Sequence, residues 1–179
     1  MRERGTENIR CLLDIATGVG TMAELFLKNL PREWEEPHIV CVDKSKEALE
    51  LARQNAALNS VSVDFRNGSL FDPVKGERFD LVASNPPYIS EAEVPKLAPE
   101  VALFDPAAAL RGGKDGLDAY RTLVPETARI LGEKGWIALE VGAGQAEPVS
   151  SLLTEAGFCV VEKRPDLGGI PRCIVAQRY

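Results

Sequence analysis

Short apolar runs alternate along the chain with stretches in which apolar residues recur at helical spacing. Such runs are typical of strands buried on both faces, and the helical spacing is typical of amphipathic helices. The pattern predicts strands at Cys11–Ile15, Ile39–Val42, Val61–Phe65, Phe79–Ala83, Trp136–Val141, Phe158–Val161 and Cys173–Ala176. It predicts helices at Thr21–Leu30, Lys46–Leu58, Asp115–Leu131 and Ala146–Ala156, with Ser45 as the N-cap of the second and a kink or break at Pro125 in the third.

The alternation of strands and helices predicts an α/β fold with a doubly wound, mostly parallel sheet and helices on both faces. Only residues 164–172, rich in proline and glycine, join the last two predicted strands, so we expect an antiparallel hairpin there. The chain has 179 residues and no internal repeat or low-complexity linker, so residues 1–179 are expected to form one domain. The long connection from Ser90 to Lys114 has weak periodicity, and a connection of this length inside a domain is typical of functional loops.

Composition narrows the possible functions. The formal net charge is −6 and the pI is about 5.0, which argues against a broad nucleic-acid-binding surface because such surfaces are basic. All four cysteines fall in predicted strands without a Cys-x-x-Cys pair, so we expect small buried thiols at Cys11, Cys41, Cys159 and Cys173. His38 is the only histidine, and no metal site is predicted. Neither a signal peptide nor a run of apolar residues long enough to span a membrane is visible, so a cytoplasmic location is expected.

A glycine-containing segment, residues 14–20 (Asp-Ile-Ala-Thr-Gly-Val-Gly), follows the first predicted strand and opens the first helix. Ligands of doubly wound sheets bind at the carboxyl ends of strands, where glycines let the backbone approach closely. The next strand ends at Asp43 and Lys44, and a carboxylate there can accept hydrogen bonds from both ribose hydroxyls of a nucleoside. Nicotinamide and flavin cofactors would use the same geometry, and an N-cap role for Asp43 is a structural alternative. The third predicted strand leads to Ser69 and Leu70.

Asn85-Pro86-Pro87-Tyr88 follows the fourth predicted strand. The two prolines stop the strand and remove two N–H donors, so neighbouring carbonyl groups can face a site. The side-chain oxygen of Asn85 and the carbonyl of Pro86 can each accept one hydrogen from an NH2 group, while Tyr88 offers a flat face. Because the lone pair of such a nitrogen is delocalised, two acceptors on its hydrogens would return electron density to it and orient it toward an electrophilic methyl group. The motif therefore indicates N-methylation of a planar NH2 group, with a plain proline turn as the structural alternative.

Together these segments resemble the catalytic domain of the HemK-like release-factor glutamine methyltransferases, also called PrmC. The resemblance runs from about Cys11 to Gln177. It is carried by Asn85–Ile89, Pro99-Glu100-Val101, Asp105-Pro106, Ala109–Gly113, Asp115-Gly116-Leu117, Tyr120, Glu140-Val141-Gly142 and Asp166–Gly169.

The resemblance implies the Rossmann-like fold of class I methyltransferases, a seven-stranded sheet with an antiparallel C-terminal hairpin strand. It implies S-adenosylmethionine as the cofactor, with S-adenosylhomocysteine as the product, and a glutamine in the Gly-Gly-Gln motif of a peptide-chain release factor as the substrate. The cofactor-binding residues it implies are Asp14, Ala16, Thr17, Gly18, Gly20, Asp43, Lys44, Ser69, Leu70 and Asn85. The catalytic residues it implies are Asn85, Pro86, Pro87 and Tyr88.

The chain departs from the family pattern in three ways. Ala16 stands where the first glycine of the turn is usual, and Ser69 stands where an acidic residue often meets the adenine amino group. Since a hydroxyl forms a weaker hydrogen bond than a carboxylate, ordinary or reduced cofactor affinity is expected. Only ten residues precede Cys11, so the family's N-terminal helical substrate-recognition domain is expected to be absent.

Three alternative functions remain open at this point. The same tetrapeptide would serve an adenine-N6 or other amino-group methyltransferase acting on nucleic acid, against which the acidic pI argues. A cofactor-binding module that needs a partner for activity would share the glycine turn. A nicotinamide oxidoreductase would share the turn and Asp43 but would leave the proline motif unexplained.

Overall fold

The computed structural model describes residues 9–31, 35–104 and 106–179. Its strands are β1 (Cys11–Ile15), β2 (His38–Asp43), β3 (Asp64–Asn67), β4 (Phe79–Ser84), β5 (Leu131–Glu140), β6 (Phe158–Pro165) and β7 (Pro171–Arg178). Its α-helices are α1 (Thr21–Lys28), α2 (Lys46–Asn59), α3 (Pro99–Phe104), α4 (Ala107–Leu110), α5 (Asp118–Ile130) and α6 (Ala146–Glu155). Single 3-10 turns lie at Asp72–Val74 and Val94–Lys96.

The strands described here form one seven-stranded sheet in the order β3-β2-β1-β4-β5-β7-β6. β1 is parallel to both β2 and β4, β2 is parallel to β3, and β6 runs antiparallel to β7. The mixed, mostly parallel sheet with its C-terminal hairpin confirms the predicted fold class. Strand order reverses at β1, which places the carboxyl ends of β1, β2 and β4 where doubly wound sheets bind ligands.

The chain divides into two compact units. One comprises the chain up to Ser84 together with Ile130–Trp136, and the other comprises Asn85–Arg129 together with Ile137–Tyr179. The first is built on apolar strand residues with no exposed surface or almost none, among them Leu13, Ile15, Ile39, Val40 and Val82, against which Leu49 and Ala52 of α2 are also buried. The core of the second includes Tyr120, Leu123, Leu139, Leu153, Phe158 and Ile174.

Most predicted elements lie within three residues of the observed ones. The larger differences are at β5, which begins at Leu131 instead of Trp136, and at β6, which ends at Pro165 instead of Val161. β3 begins at Asp64 instead of Val61, because the N–H of Val61 donates to the carbonyl of Ala56 (3.0 Å) and closes the end of α2. α5 begins at Asp118 instead of Asp115, since Gly116 has a φ of +79° and belongs to a turn. Pro125 lies inside α5 without ending it.

The predicted N-cap at Ser45 is confirmed, because its side-chain oxygen accepts a hydrogen bond from the N–H of Ala48 (3.0 Å). The prediction of buried cysteines holds for Cys41 but is wrong for Cys159, which is exposed; Cys11 and Cys173 are half-buried. Cys159 follows the buried Phe158 on β6, and because successive side chains of a strand point to opposite faces, Cys159 lies on the face away from the core.

The long connection after Ser90 contains one 3-10 turn and the short helices α3 and α4. Asp105, one of the residues that carry the family resemblance, lies outside the described residues. In the ranges 9–31, 35–104 and 106–179, no helix combines the length and apolar composition that crossing a membrane requires.

Candidate functional site

Asp14 is the penultimate residue of β1 and is fully buried. Its Oδ2 accepts a hydrogen bond from the hydroxyl of Thr17 (2.7 Å), while its Oδ1 has no hydrogen-bond partner among the described residues. Burial raises the pKa of the Asp14 carboxyl to about 7, and the bond from Thr17 opposes that rise only in part. An unpartnered buried carboxyl oxygen at the end of a central strand is a place where a polar ligand group can bind.

The turn after β1 is built from backbone in the left-handed region. Ala16, Gly18 and Gly20 have φ values of 58°, 55° and 83°. A Cβ at Gly20 would lie 3.2 Å from the Cβ of Ala52, so glycine lets α1 start close to α2. Ala16 also has a positive φ although it carries a Cβ. It is the residue that stands where the family usually has the first glycine of the turn.

Asp43, at the end of β2, ties this turn to the next loop. Its Oδ2 accepts from the N–H of Gly18 (2.9 Å) and its Oδ1 accepts from the N–H of Ser45 (2.8 Å). The N-cap of α2 is Ser45 and not Asp43, so the structural alternative for Asp43 is wrong. Each carboxylate oxygen keeps acceptor capacity beyond its one backbone donor, which leaves the side chain able to bind hydroxyl groups.

A third loop, after β3, is held against the second. The side-chain amide of Asn67 donates to the carbonyls of Asp43 and Lys44 (3.0 Å each), and the N–H of Gly68 donates to the carbonyl of Asp43 (3.0 Å). Ser69 is exposed, and Leu70, which follows it, has a φ of 47°. Residues 14–20, 43–45 and 67–70, here called the cofactor loops, are therefore joined by hydrogen bonds within one unit.

The proline motif begins immediately after β4. Ser84, the last residue of that strand, is buried and its hydroxyl donates to the carbonyl of Ile15 (2.7 Å) at the end of β1. Asn85 comes next and is exposed, Pro86 is buried, and Pro87 and Tyr88 are half-buried. Residues 85–90 are here called the acceptor loop.

The ring of Tyr88 is fixed at its phenol end. The hydroxyl of Tyr88 donates to Oε1 of Glu140 (3.2 Å). Burial and the neighbouring charge of Glu140 raise the pKa of Tyr88, so the phenol keeps its proton at neutral pH. The backbone carbonyl of Glu140 accepts from the buried hydroxyl of Tyr120 (2.7 Å). Tyr88 is therefore an oriented aromatic surface and a hydrogen-bond donor, not a base.

The long connection returns to pair with the acceptor loop. The N–H of Ile89 donates to the carbonyl of Leu110 (2.9 Å), and the N–H of Gly112 donates back to the carbonyl of Ile89 (2.8 Å). A Cβ at Gly112 would lie 2.8 Å from the Cα of Tyr88, and a Cβ at Gly116 would overlap the carbonyl oxygen of Tyr88. The glycines of this segment are needed because it packs directly on the backbone of the acceptor loop.

Three polar side chains with structural roles at these loops were not predicted from the sequence. Asn67 and Glu140 have the contacts given above, and Gln145 donates from Nε2 to the carbonyl of Tyr88 (2.9 Å). The available signal was positional, since Asn67 and Glu140 are the last residues of β3 and β5 and Gln145 lies in the loop after β5. The hydrogen bonds between Tyr88 and these partners span 52 and 57 residues, a separation at which residue types in one sequence give no pairing information.

The arrangement defines a class of protein. A doubly wound sheet with a glycine turn at its switch point, joined to a carboxylate at the next strand end, is the architecture of enzymes that bind nucleoside cofactors. Residues 5–114 match the family described as methyltransferase small domain, and the chain belongs to this family. Membership argues against the nicotinamide oxidoreductase alternative.

Similar proteins agree with this assignment. A release factor glutamine methyltransferase of Geobacter sulfurreducens is 41% identical over 171 residues, which cover 96% of this chain and 59% of the relative. A protein of the same name from Bradyrhizobium diazoefficiens is 41% identical over 180 residues, covering 98% of this chain and 58% of the relative. These relatives confirm the predicted resemblance, and the chain spans less than two thirds of their length.

Solved structures share the fold. A methyltransferase from Pyrococcus furiosus superposes with a TM-score of 0.71 at 21% identity, covering 94% of this chain and 74% of that one. A ribosomal protein L11 methylase from Lactobacillus delbrueckii superposes with a TM-score of 0.68 at 20% identity, covering 99% of this chain and 74% of that one. At these identities the likeness concerns the fold alone.

Proposed function

We propose that residues 1–179 act as the catalytic domain of an S-adenosylmethionine-dependent N-methyltransferase. The proposed substrate is the side-chain amide of the glutamine in the Gly-Gly-Gln motif of a peptide-chain release factor. The observation that carries the proposal is the position of Asn85-Pro86-Pro87-Tyr88. The motif follows β4 directly, and the last residue of β4 is hydrogen-bonded to the end of β1, where the glycine turn begins.

The residues of the cofactor loops fit S-adenosylmethionine. Asp14 offers an unpartnered buried carboxyl oxygen, suited to a cationic group, and Asp43 offers carboxylate acceptors suited to ribose hydroxyls. A Cβ built at Gly18 would meet no atom within 4 Å, so space for a ligand exists beside the turn. Residues proposed to hold the cofactor are Asp14, Ala16, Thr17, Gly18, Gly20, Asp43, Lys44, Ser69, Leu70 and Asn85. When bound, the cofactor supplies a methyl group on a sulfonium sulfur, an electrophile that requires no further activation.

The proposed catalytic residues act by binding and orienting the amide nitrogen. Asn85 accepts one amide hydrogen through its side-chain oxygen, and the carbonyl of Pro86 accepts the other. Both bonds strengthen as positive charge develops on the nitrogen, so they stabilise the transition state more than the ground state. Pro87 fixes the backbone between these acceptors and Tyr88, whose ring covers the flat amide. Tyr88 keeps its proton and donates a hydrogen bond to Glu140, so it is not assigned as a general base, and the nitrogen loses its proton to solvent.

The names of the relatives support a release factor as the protein partner. The net charge of −6 supports a protein substrate over a nucleic acid, because phosphate binding is favoured by basic surfaces. A release factor is a component of translation, so the proposal places the enzyme in the cytoplasm.

The decisive experiment supplies methyl-labelled S-adenosylmethionine to the purified chain with a release factor, tRNA or DNA as acceptor, followed by peptide mass mapping. We expect label on the glutamine of the Gly-Gly-Gln motif. Label on tRNA or DNA alone would contradict the proposed substrate. Cofactor binding without transfer to any acceptor would instead identify a binding module that needs a partner.

Asn85→Ala tests the catalytic assignment within the same assay. The rate of transfer should fall roughly 100-fold, comparable to the loss of one transition-state hydrogen bond. Asn29→Ala is the matched control, because Asn29 is an exposed amide at the end of α1 and should leave the rate unchanged. Asn85→Asp retains an acceptor oxygen at this position but adds a negative charge that stabilises the cationic ground state, so it should bind cofactor at least as well as the parent and transfer more slowly. Near-normal rates for both Asn85 variants would mean that this residue only terminates the strand.

A further inference from the structure

Gln145 stands at the N-cap of α6, yet its side chain forms no capping hydrogen bond to that helix. Nε2 donates instead to the carbonyls of Tyr88 (2.9 Å) and Gly116 (3.3 Å), and Oε1 accepts from the N–H of Gly142 (2.9 Å). One amide thus joins the acceptor loop, the end of the long connection and the loop after β5. Ser, Thr, Asp or Asn at an N-cap stabilises a helix through a side-chain hydrogen bond, and α6 lacks that stabilisation at Gln145.

The contacts of Gln145 require a primary amide. Two carbonyls need N–H donors on one side, and a backbone N–H needs an acceptor on the other. A carboxylate of the same shape would place an anion against two carbonyl oxygens, and an aliphatic side chain would leave all three backbone groups without their partner.

Glycines surround this amide and keep space for it. A Cβ at Gly116 would overlap both Nε2 of Gln145 and the carbonyl oxygen of Tyr88, and Gly116 also has a φ of +79°. A Cβ at Gly142 would lie 2.8 Å from Oε1 of Gln145 and 3.1 Å from Cδ2 of Tyr88. Two of the three segments that Gln145 joins therefore use glycine where the amide and Tyr88 come closest.

The bond to Tyr88 holds the downstream end of the acceptor loop. Upstream, the hydroxyl of Ser84 fixes the residue before Asn85. Between these two fixed points lie two prolines, whose rings lock φ and leave few backbone rotations free. The direction of the Pro86 carbonyl is therefore determined by the positions at which the loop is held at Ser84 and at Tyr88.

We propose that Gln145 is a positioning residue: its amide fixes the Tyr88 carbonyl and thereby aims the Asn85 side chain and the Pro86 carbonyl at the substrate NH2 group. This inference rests on the proposed function for the identity of the substrate. Gln145 itself touches neither substrate nor cofactor in this assignment.

The test compares Gln145→Ala with Gln54→Ala, an exposed glutamine of α2. Gln145→Ala should lower kcat for transfer to the release factor about 10- to 100-fold, as expected for reactive groups displaced by a fraction of an ångström to an ångström. The KM for the release factor should change less than about twofold. The dissociation constant of S-adenosylhomocysteine should change less than kcat does, because the acceptor loop contributes only Asn85 to the proposed cofactor residues and the three partners of Gln145 lie outside the cofactor loops. Gln54→Ala should match the parent in all three quantities. Unchanged kcat in Gln145→Ala, or a kcat loss that vanishes well below the melting temperature, would overturn the inference.

Gln145→Glu supplies a readout that a purely structural role would not move. When its carboxyl is ionised, the variant lacks the donor to Tyr88, and when it is protonated, an O–H can donate there while the other oxygen accepts from Gly142. The two carbonyl oxygens beside the new carboxyl disfavour its ionised form and raise its pKa above the ordinary glutamate value of about 4.3. The kcat of Gln145→Glu relative to the parent should therefore rise as the pH falls from 8 to 5, at a temperature where circular dichroism shows both proteins folded. A pH-independent ratio would count against positioning through this hydrogen bond.

Hydrogen exchange separates this inference from the proposed function. If the parent transfers no methyl group to a release factor, the proposed function fails, and exchange at the backbone amides of Ile89 and Gly112 decides the role of Gln145. These amides pair the acceptor loop with the long connection and should exchange at least about tenfold faster in Gln145→Ala, or in Gln145→Glu at pH 8 if the alanine variant does not fold. The amides of β1 serve as the internal control. Equal exchange in parent and variant would overturn the inference.

Discussion

The cofactor loops and the acceptor loop are constructed in different ways. In the cofactor loops, short polar side chains bind backbone groups at neighbouring strand ends, as Asp43 binds Gly18 and as Asn67 binds Asp43 and Lys44. The acceptor loop contains two prolines and contributes few side-chain bonds of its own. It is held by Glu140 and Gln145, 52 and 57 residues further along the chain than Tyr88. The cofactor loops are held by hydrogen bonds among their own residues, whereas the acceptor loop is held by hydrogen bonds from residues in distant segments.

The largest effect on stability and on methyl transfer is expected at Gly116, where the acceptor loop packs against the segments that hold it. Gly116→Ala places a Cβ against the Tyr88 carbonyl and the Gln145 amide and forces a side chain into the left-handed region at φ +79°. We expect a loss of 2–4 kcal/mol in the free energy of unfolding, roughly the sum of backbone strain and overpacking, and a fall in methyl transfer of about 100-fold. Urea unfolding and single-turnover transfer at saturating cofactor measure the two quantities.

Gly157→Ala is the matched control for this change. Gly157 has a φ of +86° in the same unit, and a Cβ there would meet no atom within 4 Å. The free energy of unfolding of Gly157→Ala should fall by only about 1–2 kcal/mol, the cost of placing a side chain in the left-handed region, and the rate of methyl transfer should equal that of the parent. If Gly116→Ala transferred methyl groups as fast as Gly157→Ala, the acceptor loop would not depend on the distant segments that hold it.

The difference between local and distant contacts also explains which features could be predicted from the sequence. The fold was predictable because buried parallel strands are short apolar runs and the helices between them are amphipathic. Asp14–Gly20 and Asp43 could be proposed as cofactor-binding residues because a glycine turn and an acidic strand end lie close in sequence. Asn85 and Pro86 could be proposed as substrate-binding residues because two prolines after a buried strand have few structural explanations.

The remaining features depend on tertiary contacts that leave no local pattern. Gln145 follows a strand like many polar residues do, and nothing nearby indicates that its amide binds Tyr88. The apolar residues before Asp64 resemble a strand, but Val61 closes the end of α2 instead. Cys159 lies in an apolar run, and its exposure depends on which face of β6 packs on the core, which the run itself does not show.

An intermediate effect is expected from the pH dependence of the cofactor loops. The buried carboxyl of Asp14 has a pKa of about 7, above the value of an exposed aspartate, because burial disfavours its ionised form. Between about pH 4 and pH 7 the folded chain therefore binds more protons than the unfolded chain, and stability falls as the pH rises through that window. Asp14→Asn removes this titration, so its free energy of unfolding relative to the parent should increase from pH 4 to pH 7. Urea unfolding at several pH values measures the difference.

Cofactor binding should show the opposite dependence on pH. S-adenosylmethionine is cationic, so a nearby Asp14 would bind it best when ionised. A carboxyl with a pKa of about 7 passes from about 10% to about 90% ionised between pH 6 and pH 8, which predicts roughly tenfold tighter binding at pH 8. Calorimetry on the parent and on Asp14→Asn tests this directly. The same pH profile in both proteins would remove Asp14 from the cofactor site.

The smallest effect is expected at Ala16, where the cofactor loops depart from the family pattern. Ala16 and Ser60 have nearly the same backbone conformation, with φ values of 58° and 56°, but Ser60 caps the end of α2. Replacing either with glycine relieves about 1 kcal/mol of steric cost and loses a similar amount through the greater freedom of the unfolded chain, so the two variants should have nearly parental stability. Only Ala16→Gly removes a methyl group from the turn that we propose contacts the cofactor, and it should tighten S-adenosylhomocysteine binding about threefold, equivalent to about 0.6 kcal/mol. Calorimetry on the parent and both variants measures this, with Ser60→Gly expected to bind as the parent does. Weaker binding by Ala16→Gly would mean that the alanine side chain contributes a favourable contact, and that the turn is adapted to it rather than narrowed by it.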